Sequence, residues 1–150
     1  MSRLKTIHIA WLVALVLVMT GCKKAPINHT VEQHWLLERF TIKETNEVVE
    51  CERLYFGINR MVTMVSEKQG SHGYGSYVAR TEYRNDNSVL VLRDFKVYQR
   101  YDDSGVKATP EQLMPYGIIN PEETAFTIHK VSHKHLVLES DYARLELRKF

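Results

Sequence analysis

From Trp35 to Phe150 the chain alternates apolar and polar residues, and Val, Ile, Thr, Tyr and Phe fill most of the apolar positions. Branched and aromatic side chains at a period of two suit a pleated, half-buried strand. Clusters of Gly, Asn, Asp and Ser break the pattern at strand-length intervals. The pattern predicts strands near Trp35–Lys43, Val48–Arg53, Leu54–Ser66, Tyr74–Arg84, Ser88–Gln99, Glu123–Lys130, His135–Ser140 and Tyr142–Lys149. Val48–Ser66 reads equally as one bent strand or two. Asn85-Asp86-Asn87 is hairpin chemistry, because Asn and Asp tolerate left-handed backbone, and Asp102-Asp103-Ser104-Gly105 reads as another turn.

The last three strands alternate most clearly. Phe126 and Ile128, Leu136 and Leu138, and Ala143, Leu145 and Leu147 each form an apolar face opposite polar neighbours. An antiparallel sheet with one wet face requires this arrangement. Two places depart from it. Thr109-Pro110-Glu111-Gln112 has capping-box spacing with proline at the first helical position, and predicts a short helix over Pro110–Met114. Thr30-Val31-Glu32-Gln33 has the same spacing and predicts a helical turn before Trp35. About eight strands with a continuous apolar face close most economically as a barrel, which removes the exposed edges. The expected fold is therefore all-β: an antiparallel up-and-down barrel of about eight strands with one short helix.

Ahead of the barrel the pattern changes. Arg3 and Lys5 precede an unbroken apolar run of 11 residues, Ile9 to Met19, and Met19-Thr20-Gly21 leads into Cys22. The run falls short of the roughly 20 residues that cross a bilayer as a helix. It resembles a bacterial lipoprotein signal with its lipobox, which implies cleavage before Cys22 and acyl chains on the Cys22 sulfur. A plain secretory signal and an uncleaved anchor are the alternatives. The domain plan is a signal peptide over 1–21, a lipidated tether over 22–33 and a barrel over 34–150. Neither Lys23 nor Lys24 is the aspartate of inner-membrane retention, and acidic surface-export residues are absent, so the expected location is the outer membrane, facing the periplasm.

Cleavage also changes the charge. Removing residues 1–21 leaves 18 basic and 18 acidic residues, so the slight positive charge of the full chain vanishes. Nothing in that balance favours a nucleic-acid partner. If Cys22 is acylated, Cys51 has no thiol partner in the chain; between Glu50 and Glu52 it reads as a small apolar residue with an unreactive thiol.

The run Ala108-Thr109-Pro110-Glu111-Gln112-Leu113-Met114-Pro115-Tyr116-Gly117-Ile118 leads into Phe126-Thr127-Ile128-His129-Lys130, then Leu136-Val137-Leu138-Glu139-Ser140 and Ala143-Arg144-Leu145. This succession resembles the lipocalin-like lipoproteins of Gram-negative anaerobes. The resemblance implies a calycin-type barrel, and an arginine near its end, Arg144 or Arg148, stacked on Trp35. Where well-known lipocalins have a glycine two places before the tryptophan, Gln33 stands here.

Candidate chemistry is sparse. His129, His133 and His135 lie near one hairpin, and pairing Phe126 with Leu138 would set His129 opposite His135. Two imidazoles at that distance are a start for zinc, but Lys130 and Lys134 beside them oppose a cation. The expectation is a solvated hairpin tip and no metal. Gly70-Ser71-His72-Gly73-Tyr74-Gly75 lacks dinucleotide spacing and reads as a loop at the barrel mouth. The pairs Asp102-Asp103 and Glu122-Glu123 lie at turns, and Ser132 lacks a nucleophile elbow. No catalytic residue and no cofactor are expected.

Tyrosines on the middle strands offer apolar rings with a polar handle. Tyr77 and Tyr83 share a parity on one strand, and Phe95 shares one with Val89, Val91, Val97 and the interrupting Arg93 on the next. If those faces point inward, Tyr77, Tyr83, Arg93 and Phe95 are candidate ligand-binding residues, with Arg93 in a partly wet interior. A bulge in that strand would turn Arg93 outward. The leading expectation is a membrane-anchored, non-enzymatic protein that binds a small amphipathic or hydrophobic ligand in its barrel. The alternative is a structural or interaction module of the cell envelope with a filled barrel.

Overall fold

The computed structural model describes residues 27–100 and 102–150, so Cys22 and the signal and tether readings up to Pro26 lie outside the described residues, as does Tyr101. The strands are β1 (His34–Ile42), β2 (Val48–Ile58), β3 (Val62–Glu67), β4 (Ser76–Arg84), β5 (Val89–Gln99), β6 (Asp102–Lys107), β7 (Glu123–Val131), β8 (His135–Glu139) and β9 (Ala143–Lys149). One short helix, α1 (Pro110–Leu113), and a 3-10 turn, Met114–Tyr116, lie between β6 and β7. Neighbouring strands are antiparallel, and pairing runs from β4 through β3, β2, β1, β9, β8 and β7 to β5. β5 then pairs with β4 and closes an eight-stranded barrel, while β6 adds only to the far half of β5.

The barrel has two unlike ends. At the base lie residues 27–33 and the β2–β3, β4–β5 and β7–β8 turns; at the mouth lie the β1–β2, β3–β4 and β8–β9 loops and the connection through α1. The capping box at α1 forms as read: Thr109 Oγ1 accepts from the Gln112 N–H, and Gln112 accepts from the Thr109 N–H. At the base a turn does precede Trp35, but its organising residue is Asn28, not Thr30. The Asn28 side chain accepts from the Val31 N–H, and Glu32 accepts from the Ile27 and Asn28 N–H groups. This turn brings the Val31 carbonyl to the Trp35 indole N–H at 2.8 Å, and both residues are fully buried.

Several expectations need correction. The break within Val48–Ser66 falls at Asn59–Met61, whereas Arg53, with φ +57°, is a bulge inside β2. Asp102–Lys107 is a strand. Ile128 pairs with Leu138, not Phe126, because His129 is bulged out between Ile128 and Lys130. The assignment of faces on the last three strands holds even so: Phe126, Leu136, Leu138, Ala143, Leu145 and Leu147 are buried and His135 is exposed. Neither arginine stacks on Trp35. Both lie on the outer wall, Arg144 on Glu139 at 3.1 Å and Arg148 on Glu38 at 2.8 Å.

Candidate functional site

The interior is filled by side chains. Trp35 and Leu37 from β1, Phe56 from β2, Leu90 and Leu92 from β5, Phe126 from β7 and Leu136 and Leu138 from β8 have no surface open to a water-sized sphere. An eight-stranded barrel is narrow enough for such residues to fill it. Among them the Thr63 and Thr81 hydroxyls are matched to each other at 2.8 Å.

The mouth is stoppered by a segment that is not a strand. Leu113 ends α1, Tyr116 ends the 3-10 turn and Ile118 follows, and all three are fully buried. The Tyr116 ring meets Phe56 and Tyr77 edge-on, at centroid distances of 6.4 and 6.1 Å. Its hydroxyl donates to the Gly75 carbonyl at 2.7 Å, and Tyr77 donates to the Tyr74 carbonyl at 2.7 Å. Burial pushes the Tyr116 hydroxyl well above its ordinary pKa, with Tyr77 and Glu67 adding to the rise. Gly117 must be glycine on two counts: φ is +72°, and a Cβ would lie 3.1 Å from the Phe40 ring and 3.2 Å from Leu145.

The β3–β4 loop that receives Tyr116 is organised by Glu67, whose side chain is only 6% exposed. Its carboxylate accepts from the His72 and Tyr74 N–H groups at 3.0 and 2.9 Å and lies 2.9 Å from His72 Nδ1. Burial alone would raise its pKa, but the Tyr74 and His72 amides and the His72 ring together outweigh it and hold the group at about 2. His72 stacks on Tyr74 with rings 4.8 Å apart. Gly70 packs against the Glu67 side chain so closely that a Cβ there would collide with it.

The four candidate binding residues do not come together. Tyr77 and Phe95 line the upper interior, 4% and 1% exposed. Tyr83 faces inward at the opposite end, where burial, and the Glu32 carboxylate after it, raise the pKa of its buried hydroxyl. Arg93 is on the outer wall, which corrects the expectation of an interior charge. The cause is a bulge at Asp94, φ +55°, which switches the inward parity from Leu90 and Leu92 to Phe95. Arg93 lies 3.3 Å from both Glu82 and Glu123, and Arg84 also reaches Glu123 at 2.9 Å. These pairs span β4, β5 and β7 above Val91, an outward-pointing residue that is nevertheless fully buried.

The histidines separate as well. His129 pairs with Glu139 at 3.1 Å, and that carboxylate also holds Lys43 at 3.1 Å and Arg144 at 3.1 Å. Lys43 first, with Arg144 and His129 after it, keeps Glu139 below its ordinary pKa despite burial. The pairing lies beside an open groove of about 620 Å³ on the outer wall. Cys51 is half-buried, and burial, then Glu50, lifts its thiol to about 12, in keeping with an inert role. Glu67 and the Leu113–Tyr116–Ile118 stopper had escaped the reading of the sequence. The signal for the stopper was an apolar spacing continuing past the capped helix, with glycine placed between Tyr116 and Ile118.

A closed eight-stranded antiparallel barrel with a buried tryptophan at its base and loops across its mouth defines a lipocalin-like protein. The chain belongs to the family described as the lipocalin-like domain, whose model matches residues 17–150. It is similar in fold to a lipocalin-like protein from Bacteroides uniformis, at 12% identity and a TM-score of 0.57 over 81% of this chain and 99% of that one. An uncharacterized protein from Bacteroides eggerthii is similar at 12% identity and a TM-score of 0.56, over 79% and 98%. No curated protein matches the sequence.

Proposed function

We propose that this protein is a lipid-anchored, non-catalytic binding protein of the cell envelope, held by acyl chains on Cys22 at the outer membrane and facing the periplasm. In this reading its barrel takes a small amphipathic or hydrophobic ligand when the stopper withdraws. The observation that carries it is the filling of the upper barrel by Leu113, Tyr116 and Ile118, side chains of a segment outside the closed hydrogen-bonded sheet. Withdrawing them vacates apolar volume beside Phe56, Tyr77 and Phe40 without breaking a strand pair. With Arg93 outside, no interior cation among the described residues calls for a carboxylate or phosphate on the ligand, which leaves an apolar body as the recognised part.

A second reading, a filled scaffold that docks a protein partner, is favoured by the packing itself, since the described interior has no room for a ligand as it stands. Native mass spectrometry of protein taken from the envelope separates the two, supported by titration of an apolar fluorescent probe into wild type and Tyr116→Ala. A co-purified small molecule, or probe binding that strengthens in Tyr116→Ala, supports the ligand reading. An empty wild type with no probe uptake by either form supports the scaffold.

A further inference from the structure

The base of the barrel is unlike the mouth in charge, and the described chain begins beside it, at Ile27. Apolar exposure alone does not separate the ends: Met61 and Phe150 are 62% and 70% exposed at the base, but Val48 and Met114 are 53% and 46% exposed at the mouth. Charge does. The base presents Lys134 and Lys149, neither with a carboxylate within ion-pairing distance among the described residues. Its acidic groups are Asp86, in the β4–β5 turn, and Glu32, already occupied by two backbone N–H groups. The mouth carries Glu44, Glu47, Glu52, Glu111 and Asp141 on its loops and strand ends, against the cations Lys43, Lys68 and Arg100.

At the base, His29, His133 and Lys149 also line one small depression of about 160 Å³ with Thr30, Gln33 and Ser132, and no carboxylate borders it. Such a hollow suits a phosphate headgroup, with the Lys149 ammonium and imidazole N–H groups as donors. Phe150 is fixed at this rim by its N–H to the His34 carbonyl, and Met61 by its carbonyl to the Thr81 N–H. Four residues stand between Cys22 and Ile27, and the five Cα–Cα intervals cap their reach at roughly 18 Å. Lys23 and Lys24 fall within that length.

We propose that the base is a docking face for an anionic phospholipid bilayer, with Met61 and Phe150 entering the headgroup layer and Lys134, Lys149 and the small depression taking lipid phosphates. The barrel then stands end-on, its acidic mouth turned away from the membrane and open to the periplasm. The inference rests on lipidation at Cys22 for its place in the cell, but the face itself is testable without it. Residues 27–150 contain every described strand of the closed barrel and the described core, so the test keeps all of them.

The test is co-sedimentation of unlipidated residues 22–150, carrying Cys22→Ala, with vesicles of phosphatidylcholine alone or with phosphatidylglycerol. Expected are binding that needs phosphatidylglycerol, weakens with salt, and falls roughly tenfold or more in Lys134→Glu/Lys149→Glu. The same charge change at the mouth, Lys43→Glu/Arg100→Glu, should move it less than about twofold, since Lys43 follows the mouth end of β1 and Arg100 lies in the β5–β6 turn, far from the bilayer. Circular dichroism melts confirm that both variants fold. Absence of binding to either vesicle, or equal losses from base and mouth variants, overturns the docking face. Failure of the anchor is read separately, as an unacylated Cys22 in the intact mass of envelope protein.

Discussion

The base and the mouth of this barrel are closed by the same kind of apolar filling but by different construction. At the base, Trp35 is a strand residue on β1 and its indole bonds to the Val31 carbonyl four residues away. At the mouth, Tyr116 belongs to a connection between strands and bonds to the Gly75 carbonyl 41 residues away. A closure built into a strand opens only when the sheet opens; one made by a connection can open alone. The difference marks the mouth as the end where binding is compatible with an intact fold.

Mutations break this comparison in graded steps. Trp35→Ala should have the largest effect, about 3–5 kcal/mol in denaturant unfolding, because the whole base loses its filling. Leu138→Ala, in the wall between the two ends, should cost roughly 2–5 kcal/mol. If either change instead left global unfolding untouched, the base would not be the fixed end. Tyr116→Phe keeps the ring and removes only the bond to Gly75, so about 0.5–1.5 kcal/mol is expected. Its clearer mark should be faster hydrogen exchange of amides 113–118, with those beside Trp35 unaltered.

The mouth loop should also respond to acid. Glu67 has its pKa lowered on folding, so its contribution is complete above the ordinary carboxylate range and is lost as pH falls through about 2. Amide protection at His72 and Tyr74 should therefore persist at mildly acidic pH and fade only toward pH 2. In Glu67→Gln it should be weak at every pH, and wild-type protection fading already near neutrality would contradict the assignment. The smallest effect belongs to His135→Ala on the outer face of β8, below about 0.5 kcal/mol. A larger loss there than in Leu138→Ala would reverse the faces of the strand.

The amino-acid sequence by itself determined what depends on near neighbours. The faces of β8 and β9, the capped helix after Thr109 and the turn at Asn85–Asn87 follow from period, capping and backbone preference, all acting within a few residues. It also placed the loop at Gly70–Gly75 on the mouth and read Cys51 as a half-buried residue. Only the tertiary structure decided where strands lose register. Bulges at Arg53, Asp94 and His129 exist because the partner strand fixes which hydrogen bonds are made, and one extra residue reverses every later side chain. Asp94 tolerates left-handed backbone, but nothing local says that it must adopt it, and on that single torsion Arg93 turned from an interior charge into a surface ion pair. The stopper and Glu67 were hidden for the same reason: Tyr116 meets Gly75, and the Glu67 knot receives its hydroxyl's loop, only after the barrel has closed between them.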